Sequence, residues 1–469
     1  MGVLRRFLGI RGVNWTGERP EDGEIYKKAL AIAWPATIEG ALLSIISAAD
    51  TAMVRVVDKY AIAAVSLTAQ PRMILLIIAQ ALCVGTTALI ARRKGEGDRA
   101  GANSVLSQSM ALITAVGILV SLAGYFLAEP ILDLAGAADE TRQMAVDYFR
   151  IIAAGLIFNC WSLCLCAALR AIGNTRITMV TNITANLVNV FLNYCLIGGN
   201  LGFPKLGVRG AAIATVCGTA VSCAIAFVYA TRPDGYLIFR VRGLKFDRHT
   251  LSGLMKVGSS SMAESVFLRL GFFINTRMIA DIGADELTSY NIVQQVTGLS
   301  FTLGDGVATA GATMVGQSLG AQRKDKAMAY VKASRKISMI ASFLLMAVIF
   351  FARRGLALIF TEDETIIAGA SLAFTTVVFG IMAQNGRVVF SGCLRGAGDV
   401  KYVAFCSLVS VAIIRPLLTY VLCYPLNQAL PALQLAYTGP WIAFVIDAYI
   451  REALLYARVR RGTFLNIRL

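Results

Sequence analysis

The stretch LRAIGN at residues 169–174 recurs as LRGAGD at residues 394–399, a displacement of 225 positions. The same displacement relates further identical residues: Glu39 and Glu264, Gln70 and Gln295, Gly95 and Gly320, Gly155 and Gly380. Because one displacement holds without a gap from Glu39 to Asn174, the sequence predicts two duplicated bundles of matching length.

Composition places those bundles in a membrane. Hydrophobic residues make up 57% of the 469 residues, charged residues make up 15%, and the mean hydropathy is +0.66. A soluble domain has about 45–50% apolar and about 25% charged residues. The sequence therefore predicts an all-α integral membrane protein.

Twelve apolar runs approach or exceed the roughly 20 residues that a helix needs to cross a bilayer. They lie at residues 29–53, 62–91, 104–128, 146–170, 177–199, 208–231, 254–280, 288–315, 333–352, 366–394, 401–424 and 436–458. Six helices per half give both halves the same orientation. We therefore expect twelve transmembrane helices in two six-helix bundles, related by a pseudo-two-fold axis along the membrane normal.

Charge placement predicts the topology. Basic residues cluster near the start of the chain and at residues 92–99, 232–248, 323–336 and 458–461, whereas the opposite connections are acidic or neutral. By the positive-inside rule both termini are cytoplasmic. The predicted organisation is an N-terminal cytoplasmic segment 1–28, an N-lobe 29–231, a basic linker 232–253, a C-lobe 254–460 and a cytoplasmic tail 461–469. We expect a monomer in a bacterial plasma (inner) membrane.

The net charge of +16 belongs to loops that flank the membrane. Anionic lipid headgroups are the partner that such loops favour, and nucleic acid is not expected. The arginine-rich segment 1–12 contains Phe7 and Leu8. It could lie on the inner leaflet or remain a solvated basic tail.

Several kinds of chemistry are not expected. All ten cysteines lie in apolar runs, and the one histidine, His249, lies in the polar linker, so we expect no disulfide, metal cluster or catalytic pair. The sequence lacks a GxxxxGK[ST] phosphate-binding motif. The chain is predicted to be no enzyme and to use no cofactor, with an ion gradient as its energy source.

Intramembrane carboxylates mark the candidate site, because an ionisable side chain in hydrocarbon normally faces a cavity or a partner. Glu39 and Asp50 lie 11 residues apart in the first helix, which puts them on one face. Pro35 in the same helix removes a backbone hydrogen bond and invites a bend. That bend could be static or could respond to the charge of a neighbouring carboxylate.

The fifth helix supplies polar partners. Asn182, Asn186, Asn189 and Asn193 are its asparagines. Amide oxygens of Asn189 and Asn193 could join the Asp50 carboxylate around Na⁺, or pair with that group in either protonation state. Packing by interhelical hydrogen bonds is the alternative. The repeat favours a site, because Asn189 and Asn193 map onto Ile414 and Leu418.

The second half carries a different polar set. Its intramembrane members are Glu264, Arg269, Asn275, Asp305, Gln384, Asn385, Arg387 and Arg415. Some of the arginines are expected to be neutralised in buried ion pairs. We expect Glu264, Asn275, Gln384 and Arg387 to line a substrate cavity, with Glu264 as an acidic wall that attracts cationic compounds.

Six motifs in a fixed order carry a family resemblance. They are WPATIEGALLSIISAADTAMV (34–54), GTTALIARRKGEGD (85–98), LRAIGNTRITMVTNITANLVNVFLNY (169–194), LGVRGAAIAT (206–215), VGQSLGAQRKDKA (315–327) and LRGAGD (394–399). They resemble the MATE family, the multidrug and toxic compound extrusion antiporters. The resemblance implies two lobes around a central cavity, alternating access, and secondary active export of organic cations or amphipathic drugs against H⁺ or Na⁺.

The resemblance also implies residue roles. Asp50 matches the first-helix aspartate of cation coupling, and Pro35 matches the proline of the proposed bend. Asn189 matches the fifth-helix asparagine of the N-lobe site, and Thr215 resembles its sixth-helix threonine. Asn193 stands where NorM-like members have asparagine and DinF-like archaeal members have aspartate.

Two positions in the second lobe depart from the NorM-like pattern. Glu264 lies one turn before the expected glutamate, and Gln384 replaces the expected aspartate. No second cation site is expected there. The position of Glu39 is similar to that of a glutamate in bacterial DinF-like sequences, so assignment to the NorM-like or the DinF-like branch stays open.

Two other functions remain as alternatives. A lipid-linked saccharide flippase of the same superfamily would need a cavity dominated by arginines. A receptor or channel is disfavoured, because a duplicated bundle with intramembrane carboxylates suits rocking about a midplane site.

Overall fold

A computed structural model describes residues 9–55, 61–136, 138–239, 246–430 and 433–467, although several side chains between positions 45 and 55 lie outside the description. Within this part the chain is helical. Twelve long helices are present: α1 (Asp22–Arg55), α2 (Ala61–Gly95), α3 (Arg99–Phe126), α4 (Asp139–Ala171), α5 (Thr175–Gly198), α6 (Val208–Thr231), α7 (Arg248–Ala280), α8 (Ala284–Gly320), α9 (Lys324–Leu358), α10 (Glu364–Ala397), α11 (Val400–Ser407, Leu408–Ile414 and Arg415–Cys423) and α12 (Leu435–Arg461).

These helices confirm the all-α prediction of twelve membrane-spanning elements, one for each apolar run. The starts of α3, α4 and α5 at residues 99, 139 and 175 recur at 324, 364 and 400, the displacement seen in the sequence. Within the described residues, eight helices are long and apolar enough to span a membrane by length and composition alone. Short helices at Ala128–Leu134, Asn200–Gly202, Pro425–Ala429 and Thr463–Asn466 lie between or after the long ones.

The chain forms two compact units. The first unit comprises Ile38–Met262, and the second comprises Ala263–Leu469 with the described residues up to Thr37. In the first unit α4 is central and packs against α2, α3 and α6. Its repeat mate α10 has the same role in the second unit and packs against α8, α9 and α12. The duplication therefore extends to the packing of each unit.

The repeated LRxxG motif is the turn that ends each central helix. Gly173 and Gly398 adopt φ values of 84° and 90°, a left-handed conformation that glycine tolerates best. Their N–H groups bond to the carbonyl oxygens of Arg170 and Arg395 at 2.8 and 2.9 Å. The motif therefore fixes an arginine in the last turn of α4 and of α10.

The helix after each turn begins differently. Asn174 accepts a bond from the Ile177 N–H at 3.4 Å and caps α5. Asp399 makes no such cap and instead accepts a bond from Arg458 Nε on α12 at 2.7 Å.

At the linker, hydrogen bonds from Thr250 and His249 to Asp247 lower the pKa of that carboxyl.

The N-terminal segment, residues 9–21, packs against α9 in the second unit. Lys332 Nζ donates to the Arg11 and Gly12 carbonyl oxygens, each at 2.7 Å. Lys336 Nζ donates to the Gly9 carbonyl oxygen at 2.7 Å, and Ile10 is buried. Residues 9–12 are thus held against α9 by hydrogen bonds. Phe7 and Leu8 lie outside the described residues.

Helix α11 contains a π-helical segment, Leu408–Ile414. Gly271 on α7 faces it so closely that a Cβ there would lie 2.2 Å from the Val411 carbonyl oxygen. The widened turn and the glycine together set the local shape of the second unit, because π-helical turns displace side chains from their regular helical positions.

Candidate functional site

A polar cavity of about 590 Å³ lies within the first unit, and we call it the first cavity. Its polar lining residues are Ser66, Thr68, Arg72, Gln80, Tyr148, Asn159, Ser162, Asn182, Asn186, Asn189, Asn193, Thr215, Thr219 and Ser222. Among the described lining residues, Arg72 is the only charged one. The polar part of the cavity wall therefore consists mainly of amides and hydroxyl groups.

The asparagines reach the cavity because α5 presents them on one face. Their spacing of four, three and four residues follows the helical period. Asn193 Nδ2 donates to Asn189 Oδ1 at 3.4 Å, and Asn189 Nδ2 donates to Thr215 Oγ1 on α6 at 3.3 Å. The structure thus joins three of the residues that the sequence assigned to one site.

Gly218 brings α6 this close to α5. A Cβ at Gly218 would lie 2.8 Å from the Ala185 carbonyl oxygen and 3.0 Å from Asn189 Cβ. Small residues at such positions let transmembrane helices approach within hydrogen-bonding reach. The Asn189–Thr215 bond therefore depends on a glycine that the sequence analysis did not single out.

Glu39 is buried beside this cavity but is not among its lining residues. Its Oε1 accepts from Asn182 Nδ2 at 2.6 Å, and its Oε2 accepts from Thr178 Oγ1 at 3.4 Å. Arg170 Nη1 lies 3.8 Å from Oε1. Asn182 Oδ1 in turn accepts from Ser222 Oγ at 3.2 Å, so Glu39 contacts the cavity through one side chain.

Asp50 and Pro35 are the other two residues of α1 that the sequence assigned to the site. The backbone at Asp50 is helical, but its side chain lies outside the described residues, so its predicted contacts stay predictions. Pro35 lies inside α1, which continues as one helix on both sides of it.

In the second unit, Glu264 lies in a buried ion cluster. Its carboxylate accepts from Arg395 Nη2 at 2.6 Å and from Arg395 Nε at 3.1 Å. Arg451 Nη2 lies 3.3 Å from Oε1, and Ser407 Oγ donates to the same oxygen at 3.4 Å. Glu264 is 1% exposed.

This placement differs from the acidic cavity wall expected from the sequence. The positive charges of Arg395 and Arg451 outweigh the attraction of the Glu264 carboxylate for a cationic ligand. Their ion pairs hold the carboxylate inside the helix bundle. Glu264 accordingly does not line the cavity that contains the other three residues of the predicted set.

That cavity has a volume of about 280 Å³, and we call it the second cavity. Asn275, Gln384 and Arg387 line it, together with Arg415 and five aromatic side chains. Arg415 Nε donates to Asp447 Oδ2 at 3.0 Å, which neutralises its charge. No carboxylate occurs among its described lining residues.

Sequence reasoning missed several charged partners: Arg170, Arg395, Asp447 and Arg451. The repeat held a signal for the first two. Glu39 and Arg170 are both retained 225 residues later as Glu264 and Arg395, and such a paired retention predicts contact. Asp447 and Arg451 on α12 carried no comparable signal.

Metal-binding side chains are sparse in the part of the chain that the structure covers. It contains no group of three histidine, cysteine, aspartate or glutamate residues that could hold a metal ion. The oxygen atoms grouped on α5 and α6 are neutral amides and hydroxyls, a set that suits a weakly held hard cation only when a carboxylate completes it.

Comparison with curated proteins finds relatives that match over most of their length. The chain is 25% identical to the uncharacterised transporter YisQ of Bacillus subtilis over 434 residues, which are 92% of this chain and 93% of the relative. It is 26% identical to a probable multidrug resistance protein NorM of Thermotoga maritima over 438 residues, 93% of this chain and 92% of the relative.

Solved structures share the fold. A MOP superfamily transporter from Pyrococcus furiosus superposes with a TM-score of 0.86 at 21% identity, and the match covers 98% of each chain. A MATE protein in the straight conformation gives a TM-score of 0.86 at 22% identity, with 97% of this chain and 98% of the other covered.

The family model for MatE matches the chain twice, at residues 35–195 and 261–421. The two matches coincide with the internal repeat and together span more than half of the sequence. The chain is a multi-pass membrane protein that belongs to the MatE family, and it is therefore a transporter and not an enzyme.

Proposed function

We propose that this transporter is a secondary active multidrug exporter, which exchanges organic cations or amphipathic drugs for H⁺ or Na⁺ by alternating access. Relatives named as probable multidrug resistance proteins support this assignment. The first cavity is the observation that carries it. Its volume of about 590 Å³ lies in the range of about 300–1,000 Å³ that suits drug-sized ligands.

The chemistry of the first cavity supports broad selection. Leu43, Ile62, Val65, Met73 and Leu76 add apolar surface to the same cavity. Amides donate and accept hydrogen bonds and can serve many ligands without imposing one charge pattern. An amphipathic compound gains both apolar burial and hydrogen bonds there.

Ion coupling is assigned to Asp50 together with Asn189, Asn193 and Thr215. Helix register supports this assignment. Glu39 on α1 contacts Asn182 on α5, and positions 50 and 193 each lie 11 residues further along, roughly 16 Å of helix rise. The expected topology runs α1 and α5 in the same direction, which brings position 50 to the level of position 193.

Either ion acts by removing one negative charge. Protonation of Asp50, or Na⁺ held by its carboxylate with the Asn189 and Asn193 oxygens, lowers the cost of closing a partly dry cavity. The resulting shift of the conformational equilibrium toward the closed cavity would be transmitted by a bend of α1 near Pro35. Glu39, a buried carboxylate held by Asn182 beside the cavity, joins this coupling set.

Lobes 29–231 and 254–460 are the moving bodies, both termini are cytoplasmic, and the protein works as a monomer in a bacterial plasma membrane. The flippase alternative is not favoured. The first cavity offers one arginine, Arg72, and the second offers Arg387 beside a neutralised Arg415, too little positive charge for a lipid diphosphate.

Transport by purified protein in liposomes tests this function. We expect ethidium to move against its gradient when an H⁺ or a Na⁺ gradient is imposed, and to equilibrate passively when neither is present. Ethidium movement that is the same with and without both gradients would contradict coupled export. Empty liposomes under the same gradients provide the background.

A further inference from the structure

The second cavity is an aromatic pocket with one uncompensated positive charge. Its aromatic lining residues are Phe272, Tyr290, Phe301, Trp441 and Phe444. The Tyr290 and Trp441 rings stack at 4.9 Å, and the Trp441 and Phe444 rings meet edge to face at 5.8 Å. These contacts form a rigid wall that suits a planar ring.

Arg415 does not supply the free charge. Its guanidinium bonds to Asp447, which is itself fully buried. The Phe272 and Phe444 rings lie 5.3 and 5.0 Å from its Cζ. Arg415 is thus a neutralised part of the scaffold, held by cation–π contacts.

Arg387 supplies it. This side chain is 7% exposed, its Nε atom is buried without a hydrogen-bond partner, and it forms no ion pair with any described residue. The nearby carboxylate of Glu264 is held by Arg395 and Arg451 instead. A buried cation without a counter-ion is costly, so a lining arginine of this kind favours an anionic ligand.

Further polar atoms around the cavity lack partners. Trp441 Nε1 is a buried donor without an acceptor, and Gln384 Oε1 is a buried acceptor without a donor. Trp441 and Gln384 are 3% and 5% exposed. Unsatisfied buried groups are uncommon in folded proteins and call for an explanation such as an unseen ligand or water.

The wall of the cavity is also irregular. Val411, in the π-helical segment of α11, lines it. Isolated π-helical turns occur frequently at functional sites, and here the turn approaches α7 only because residue 271 is glycine. This observation is independent of the charge argument.

We propose that the second cavity binds a small planar aromatic carboxylate. A cavity of about 150 Å³ holds benzene, so about 280 Å³ accommodates one or two fused rings and a carboxylate. The aromatic wall takes the rings, and Arg387 takes the carboxylate through charge-assisted hydrogen bonds. This site is separate from the first cavity and does not rest on the proposed ion coupling.

Calorimetric titration of the purified full chain in detergent tests the site, with 2-naphthoate as the probe. The neutral 2-naphthamide and the cationic 2-naphthylmethylammonium are matched comparisons of the same ring. We expect wild-type protein to bind 2-naphthoate at least tenfold more tightly than either. Arg387→Gln should weaken naphthoate binding at least tenfold and change naphthamide binding less than threefold.

A steric variant and a charge control complete the design. Gly298 lines the cavity, and a Cβ there meets no atom within 4 Å, so Gly298→Leu fills space without displacing the scaffold. It should weaken binding of naphthoate and naphthamide alike, even if Arg387→Gln failed to fold. Arg277→Gln removes an exposed arginine that pairs with Asp281, and it should leave naphthoate binding unchanged.

Three results would overturn the proposal. One is no binding of naphthoate, or binding no tighter than that of the cationic analogue. Another is wild-type naphthoate affinity in both Arg387→Gln and Gly298→Leu. The third is loss of naphthoate binding in Arg72→Gln but not in Arg387→Gln, which would move the anion to the first cavity.

Discussion

Glu264 and Arg395 form a two-point ion pair inside the second unit, and their repeat mates Glu39 and Arg170 form a looser pair inside the first. The shortest N–O distance is 2.6 Å in the second unit and 3.8 Å in the first. Duplication retained both partners and a polar neighbour, Asn182 for Glu39 and its repeat mate Ser407 for Glu264, but Glu264 also contacts a second arginine, Arg451. The same pair thus forms part of a close ion cluster in one unit, whereas in the other unit the carboxylate is held mainly by an amide hydrogen bond.

Glu264→Gln should therefore damage stability and not substrate choice. The substitution leaves the buried Arg451 and the partly buried Arg395 without their shared counter-ion, a loss of about 3–5 kcal/mol in the free energy of unfolding. A lower melting temperature of the purified protein is the measurement. Glu364→Gln, which breaks an exposed pair with Arg354, should change it little. A selective loss of cationic drug export at unchanged melting temperature would contradict this view.

Glu39→Gln should have the opposite profile. Glutamine keeps a carbonyl acceptor for Asn182 Nδ2 and replaces the oxygen that accepts from Thr178 with an amide NH₂ group, so we expect a stability loss of about 1 kcal/mol. Because Glu39 belongs to the proposed coupling set, H⁺-driven ethidium transport in liposomes should fall at least tenfold. Full transport by Glu39→Gln would restrict its carboxylate to a structural role.

Sequence reasoning predicted the periodic features better than the pairings. Apolar runs and the 225-residue displacement gave twelve helices, because burial in lipid imposes composition and length on each span. The asparagine stripe of α5 was predictable because helical period alone puts its members on one face. Glu264 was misplaced because a carboxylate among apolar residues looks the same in sequence whether it faces a cavity or an arginine from a distant helix.

Gly218→Ala should disturb the first cavity by separating α5 from α6. The added methyl group would lie 2.8 Å from the Ala185 carbonyl oxygen and 3.0 Å from Asn189 Cβ, so the helices must move. Overpacking of this kind costs about 1–3 kcal/mol. Melting temperature and ethidium export should both fall. Gly355→Ala on α9, where a Cβ meets nothing within 4 Å, should instead be neutral or slightly stabilising. Equal effects of the two substitutions would rule out close packing as the cause.

Lys332→Met should release the N-terminal segment from α9. Lys332 holds the Arg11 and Gly12 carbonyl oxygens, and removal of its ammonium group leaves Lys336 as the remaining lysine contact of this stretch. Limited trypsin digestion should then cut after Arg11 at least threefold faster than in the wild type. Lys401→Met, at an exposed position near the start of α11, is the matched control and should cut at the wild-type rate. An unchanged cleavage rate in Lys332→Met would show that the Lys336 contact and the buried Ile10 hold the segment without Lys332.

Asp50→Asn should separate drug binding from ion coupling. The amide fixes position 50 in a neutral state, while the asparagines and Thr215 that line the first cavity remain in place. We expect ethidium affinity within about threefold of wild type, since the neutral side chains that line the cavity are unchanged. Uphill transport should be lost under both H⁺ and Na⁺ gradients. Equilibrium binding in detergent and transport in liposomes measure the two properties separately. Uphill export by Asp50→Asn at the wild-type rate under both gradients would exclude Asp50 from the coupling site and leave Glu39 as the candidate coupling carboxylate.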